Sequence, residues 1–300
     1  PSTMCNPSRV AMWTGKRPST TGVYGQHAQW NDTRVETKTM FQTFKDGGYN
    51  LYGGGKIFHH DTSVADDPAF DDLLLFRQSG QPDVAGTAGF LRYGTYDTSE
   101  TNMPDYEVVS WCSNKLNQVH EQPFFIVPGI FKPHAPLWAP QKYFDLYPTN
   151  DIVVPITPAD EFDDIPQAGI DLADKEGRYD PVADSGNVRE AIQGYLACVT
   201  FADEQIGRMV DAVEASPHAS NTIIVLWSDH GFHWGEKFHF AKSTLWEESA
   251  RMPFIIYAPG LTDGTNCDRP MDSIDIYPTL CELAGIEPPT DLDGVSMVPL

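Results

Sequence analysis

Runs of consecutive apolar residues alternate along this chain with stretches whose apolar positions recur every three or four residues. Several runs end in loops rich in Gly, Pro and ionisable side chains. That alternation predicts an α/β fold, a mainly parallel central sheet flanked by helices, in which ligands gather at the carboxyl ends of the strands. Residues 39–46 read as a short helix stopped by Gly47-Gly48. Residues 49–52 read as a strand running into Gly53-Gly54-Gly55-Lys56, glycines that let backbone come close to a ligand. Residues 124–127 form a second strand in this reading. Residues 222–227 form a third, whose continuous apolarity predicts burial on both faces and which empties into Ser228-Asp229-His230-Gly231. Ile192, Leu196, Val199, Ile206, Met209 and Val213 fall at helical spacing and predict a packing helix over 188–213, whole or broken near its middle. Residues 148–184, rich in Pro and Asp with little periodicity, read as a long surface excursion.

The chain has 300 residues, 41% of them hydrophobic, enough for a sizeable core, and one domain over 1–300 is favoured over two smaller ones. Acidic residues number 42 and basic residues 20, a formal net charge of −22 at pH 7, which argues against a nucleic-acid partner. An anionic ligand would have to be held by a local basic cluster inside an acidic shell, with salt screening the rest, which points to a saline setting. The longest apolar stretch, 124–131, is interrupted by Pro128 and is too short to span a bilayer, so no membrane span is expected. The sequence opens at Pro1-Ser2-Thr3-Met4, and a secretion signal would lie upstream of it. Cys5, Cys112, Cys198, Cys267 and Cys281 are odd in number, which frees one thiol, with Cys5 the candidate. The other four allow three pairings. Cys198 lies in an apolar helical pattern and reads as a buried free thiol.

The candidate chemistry sits in the loops. Cys5-Asn6-Pro7-Ser8-Arg9 places Pro7 in the first turn of a helix continuing through residue 13, so Cys5 lies where backbone N–H groups favour negative charge. Asp229 and His230 follow the third strand directly, an oxygen and a nitrogen ligand suited to a hard divalent cation. Cys-x-Pro-x-Arg, followed by Thr14-Gly15-Lys16-Arg17-Pro18, matches the modification motif of formylglycine-dependent (type I) sulfatases, members of the alkaline-phosphatase-like superfamily. Gly55-Lys56-Ile57-Phe58-His59, Lys132-Pro133-His134-Ala135-Pro136, Ser228-Asp229-His230-Gly231, Gly235-Glu236 and Ala241-Lys242 follow in the order seen in the iduronate-2-sulfatase-like branch. The chain thus resembles that family over nearly its whole length.

The resemblance implies hydrolysis of sulfate esters on a sulfated sugar or polysaccharide. It also implies that a formylglycine-generating or anaerobic sulfatase-maturating enzyme acts on Cys5, in a secreted, periplasmic or lysosome-like compartment. An aldehyde hydrate at position 5 carries two hydroxyls on one carbon: one attacks sulfur, and the other later expels sulfate by re-forming the aldehyde. By resemblance Arg9 holds the hydrate and a metal ligand, Lys56 binds a sulfate oxygen, and His59 assists the collapse, with His60 as the alternative ring. His134 and Lys242 touch the sulfate and protonate the leaving oxygen. Asp229, His230 and the modified Cys5 form the metal set, with Ca2+ the first choice and Mg2+ the second. His233, Trp234, Lys237, His239, Trp30 and His27 could read the sugar, since aromatic faces and cations suit a sulfated ring; Trp234 and Trp30 read equally well as packing residues. Lys132 reads as surface charge.

Two alternatives stand beside this reading: a phosphonate or phosphate monoester hydrolase on the same fold, and a non-catalytic binder of sulfated glycans. The family normally supplies two adjacent aspartates to the metal from a strand upstream of the modified cysteine, and continues past the end of this chain into a smaller antiparallel sheet. The expectation is therefore a catalytic domain truncated at both ends, or a crippled site.

Overall fold

The computed structural model describes residues 1–30, 33, 35–59, 67–75, 86–96, 98–173, 177, 179–262 and 264–299. It is an α/β fold around a parallel sheet. Strand β1 (Asn50–Gly55) lies between β2 (Asp72–Leu75) and β5 (Phe124–Gly129), parallel to both, in a register running from Asn50 opposite Phe124 to Gly55 opposite Gly129. The strands predicted at 49–52 and 124–127 are present and run on to Gly55 and Gly129, so the three glycines belong to β1 itself. Gly53 and Gly55 bring the backbone close to neighbouring protein. Gly55 has φ +76°, and a Cβ there would stand 2.2 Å from the Gly129 carbonyl oxygen. That oxygen instead accepts the Lys56 N–H at 2.7 Å, so the two glycines let the ends of β1 and β5 touch just where Lys56 emerges.

A second sheet orders β3 (Gly86–Ala88), β4 (Leu91–Thr95) and β6 (Leu137–Ala139), with β4 and β6 parallel. Strand β7 (Ile224–Trp227) pairs antiparallel with β10 (Phe254–Tyr257) and is half-buried along its length, a correction to the expectation of burial on both faces. Its apolar run is satisfied on the core side, where Val225 and Trp227 pack with the main cluster. A short hairpin, β8 (His233–Trp234) with β9 (Phe240–Ala241), follows.

Helix α1 (Cys5–Thr14) has almost every residue buried and ends at Gly15 in the left-handed conformation, φ 63°. Helix α2 (Met40–Asp46) starts as predicted, with a capping box between Thr39 and Gln42. Helix α3 (Pro104–Leu116) packs on β1 and β5. Helix α4 (Val188–Glu214) runs unbroken for 27 residues against β4 and β6. Helix α5 (Ile276–Leu283) closes the main core, where Met12, Trp13, Phe41, Phe44, Leu51 and Tyr277 meet. A second cluster gathers Leu91, Leu137, Phe201, Trp234 and Phe240 beneath the hairpin. The excursion over 148–184 is irregular as far as two short helical segments, Gln167–Ala173 and Tyr179–Ala183; Thr157 Oγ1 donates to the Gly235 carbonyl at 2.7 Å and Lys237 pairs with Glu161, so it leans on the hairpin. All five cysteines are free thiols, Cys198 fully buried as predicted. No helix among the described residues is long and apolar enough to cross a membrane.

Candidate active site

Cys5 stands in the first turn of α1, 1% exposed, and the loops at the strand ends converge on it. Lys242 Nζ donates to its sulfur at 2.7 Å, and His230 Nε2 lies 3.2 Å away. Burial opposes ionisation of this thiol, but hydrogen bonds from His134, His230 and His59, with the charge of Lys56, outweigh it and carry the pKa far below the ordinary thiol range. The same surroundings that favour a thiolate favour any anion at this position.

Arg9, one turn further along α1, acts as a three-way brace. Its Nε donates to Asp229 Oδ2 at 2.7 Å, and its Nη1 donates to the carbonyls of Lys56 (2.7 Å) and Ile57 (2.8 Å). Burial pushes the Asp229 carboxyl up, yet the charges of Arg9 and His230 prevail and hold it at about 2. Ser8, which the sequence reading missed, donates from Oγ to the Asp229 carbonyl at 2.6 Å. Helix α1 therefore carries the reactive residue and also fixes the strand-end loops around it. Lys56 is buried; desolvation and the neighbouring charge of Arg9 bring its pKa down to about 8. Burial likewise lowers His134, opposed by its bond to Cys5. His134 Nδ1 lies 2.5 Å from the Ala135 carbonyl, which can only accept, so that nitrogen carries the proton and Nε2 is left for the pocket. His60 lies outside the described residues.

A divalent cation can be tested against the donor set. Cys5, Asp229 and His230 present ligand atoms within 4.8 Å of one another. His230 Nδ1 lies 2.8 Å from the Gly231 carbonyl, which holds the ring with Nε2 facing Cys5; the neutral ring, with its proton on Nδ1, would offer the Nε2 lone pair to a cation there. Asp229 Oδ2 is engaged by Arg9, and Oδ1 lies 3.5 Å from His230 Nε2. The three residues fit part of a coordination sphere; a sulfur at position 5 suits a hard cation poorly, whereas an oxygen there would match calcium or magnesium.

The proposed sugar readers fare differently. His233 is wholly buried, its ring nitrogens 3.1 Å from the Glu236 carbonyl and 2.8 Å from Thr244 Oγ1, so it supports the hairpin and has no surface with which to meet a sugar. His239 is buried too, with Nε2 2.9 Å from the Lys242 carbonyl. Trp234 packs with Tyr195, Phe232 and Phe240, and Trp30 packs on Phe58; both are core residues. His233 and His239 are corrections, because the hairpin segment that carries them turns inward, whereas Trp234 and Trp30 take the packing alternative. His27 is exposed, and Lys237 lies paired with Glu161 over the Trp246 ring.

A cysteine at a helix N-terminus, ringed by lysines and imidazoles and backed by a carboxylate, on a parallel α/β sheet, is an arrangement suited to holding an oxyanion. The chain belongs to the sulfatase family, whose model matches residues 1–286. It is 39% identical to a sulfatase of Formosa agariphila over 96% of this chain and 61% of that protein. It is 27% identical to human iduronate 2-sulfatase over 95% of this chain and 61% of that one. The chain thus spans about three fifths of the length of the curated relatives it matches. Among solved structures, a phosphonate monoester hydrolase from Silicibacter pomeroyi superposes with a TM-score of 0.81 at 22% identity, covering 99% of this chain and 67% of that one. A protein solved with its substrate D-glucosamine-2-N,6-O-disulfate superposes with a TM-score of 0.73 at 21% identity, covering 99% and 70%.

Proposed function

We propose that this chain is the catalytic part of a sulfatase acting on sulfated carbohydrate, with Cys5 oxidised to formylglycine by a maturation enzyme in an exported compartment. The observation that carries the reading is the enclosure of Cys5 by His59, His134, His230, Lys56 and Lys242. In this proposal one hydroxyl of the hydrate occupies the position of the Cys5 sulfur, gives up its proton to solvent in surroundings that favour an anion there, and attacks the sulfate sulfur, while the ester oxygen leaves as an alcohol. His134 or Lys242 donates the proton that the departing oxygen takes up. Lys56 holds a sulfate oxygen. His59 then takes the proton of the second hydroxyl, the carbonyl re-forms, sulfate departs, and water restores the hydrate. Asp229, His230 and residue 5 would hold Ca2+ or Mg2+, which supplies polarisation of the sulfate when bound. Arg9 keeps Asp229 ionised and in place.

Mass spectrometry of the Cys5 peptide, with parallel assays on aryl sulfate, phosphate and phosphonate esters, tests the reading. Formylglycine with preferential sulfate turnover is the expected result. Preference for phosphate or phosphonate would move the chain to the monoester hydrolases. Intact cysteine from a host able to modify it, with sulfated-glycan binding, would leave a binding protein.

A further inference from the structure

Asp105 is a carboxylate that the reaction above leaves unused, and it sits where a charge is costly. It occupies the first turn of α3, is 2% exposed, and accepts two backbone donors: the Phe131 N–H at 2.8 Å and the Lys132 N–H at 2.9 Å. Burial pushes its pKa up, opposed by those two bonds and by the charges of Lys132 and Lys56. The positive end of the helix favours the anion as well. Removing it would strand two buried N–H groups, so its worth lies in the local conformation it enforces.

That conformation centres on Phe131. Its carbonyl accepts the His134 N–H at 3.1 Å, and its ring lies 4.7 Å from the His134 ring, centroid to centroid. Lys56 Nζ stands 5.1 Å from the same ring and Lys132 Nζ 5.9 Å. Lys132, read from sequence as surface charge, donates from Nζ to the Pro136 carbonyl at 2.5 Å and closes the loop beyond His134. One aromatic ring therefore touches both the imidazole and the ammonium that converge on Cys5, and one carboxylate pins that ring's backbone.

We propose that Asp105 and Phe131 are a positioning pair: Asp105 fixes Phe131, and Phe131 sets the direction of His134 and the seat of Lys56. The kinetic side of this inference rests on the sulfatase reading; the anion-binding side does not. The test compares Asp105→Ala, Asp105→Asn and Phe131→Leu in the whole chain. Asp67→Asn serves as a control, since Asp67 is another buried carboxylate, tied to Thr39 and Ala69 away from Cys5. Readouts are kcat and KM on an aryl sulfate, Kd for inorganic sulfate by calorimetry, and Tm. Asp105→Ala is expected to lower kcat about 100-fold with KM nearly unchanged, the cost of misplacing a proton donor by about an ångström. Asp105→Asn keeps the shape and one acceptor and recovers most of that loss. Phe131→Leu weakens sulfate binding about two- to fivefold as Lys56 loses its ring. Asp67→Asn lowers Tm and leaves kcat in place.

Parent-like kcat in both Asp105 variants, or parent-like sulfate Kd in Phe131→Leu, overturns the pair. So does a loss of kcat in Asp67→Asn equal to that in Asp105→Ala. If Asp105→Ala does not fold, the sulfate Kd of Phe131→Leu decides. If the parent turns over no sulfate ester, the proposed function fails separately, and the sulfate Kd of Phe131→Leu alone judges the pair.

Discussion

Two segments bring proton-bearing groups to Cys5, and they are held in place by different means. The segment at 130–136, which carries His134, has little regular structure and is tied down through Asp105 and the Phe131 ring. The hairpin segment at 233–243, which carries Lys242, is held by many weaker devices. Strands β8 and β9 pair, Trp234 and Phe240 sink into the second core, and His239 Nε2 meets the Lys242 carbonyl. Lys237, Phe238, Ala241 and Ser243 take left-handed backbone angles, φ 57°, 49°, 79° and 80°. Non-glycine residues in that region cost on the order of 1 kcal/mol each, and they persist because the packing around them over-determines the turn. The contrast teaches that a donor can be aimed by one strong anchor or by distributed packing, and that the first is the more fragile.

Perturbations rank this comparison from the largest effect down. Cys5→Ser strikes what both segments serve. Against the proposed hydrate it keeps one hydroxyl but loses the second, so multiple turnover is expected to vanish while a trapped sulfate ester accumulates; mass spectrometry after incubation with substrate checks it, and sustained turnover would break the hydrate mechanism. Lys242→Ala and His134→Ala remove the two donors themselves, and each should cost about 10²- to 10⁴-fold in kcat. Equal losses on activated and unactivated esters would show that neither protonates the leaving oxygen.

Lys56 belongs to neither segment, being carried by the end of β1. In the proposed function its charged form holds the anion; burial with the charge of Arg9 depresses its pKa to about 8, so the charge is present below that pH and lost above it. The logarithm of kcat/KM should therefore fall about one unit per pH unit above about 8, a limb absent from Lys56→Arg, because guanidinium stays charged. A limb that persists in Lys56→Arg assigns the titration elsewhere. Smallest is His239→Phe, which deletes one device of the hairpin while its pairing and packing remain. It should cost less than about tenfold in kcat, well short of Asp105→Ala. A loss as large as that of Asp105→Ala would show the hairpin to be singly anchored as well.

The positions that meet at Cys5 were legible in the sequence because each is tied to a local signal. Pro7 announces the start of α1, the apolar run at 124–127 ends just before His134, and the run at 222–227 empties into Asp229 and His230. His233 and His239 misled for the opposite reason. Polar and aromatic residues near a site loop look alike whether they face substrate or brace the loop, and burial alone separates the two. Asp105 carried the signal of an ordinary helix first turn after Pro104, with nothing to show that its carboxylate reaches residues 131 and 132.

Local sequence by itself placed the helices that start at Pro7, at 39–46 and at 188–213 and the strands near 49–52, 124–127 and 222–227, together with the thiol that carries the motif and the charges at those strand ends, since propensity, turn chemistry and apolar period act over a few residues. Tertiary structure alone decided that Arg9 braces Asp229 against Lys56 and Ile57, that Gly55 and Gly129 seat Lys56, and that Phe131 lies between His134 and two lysines. Those contacts join residues far apart along the chain, so their distances follow from how the sheet and helices close on one another, which no local pattern encodes.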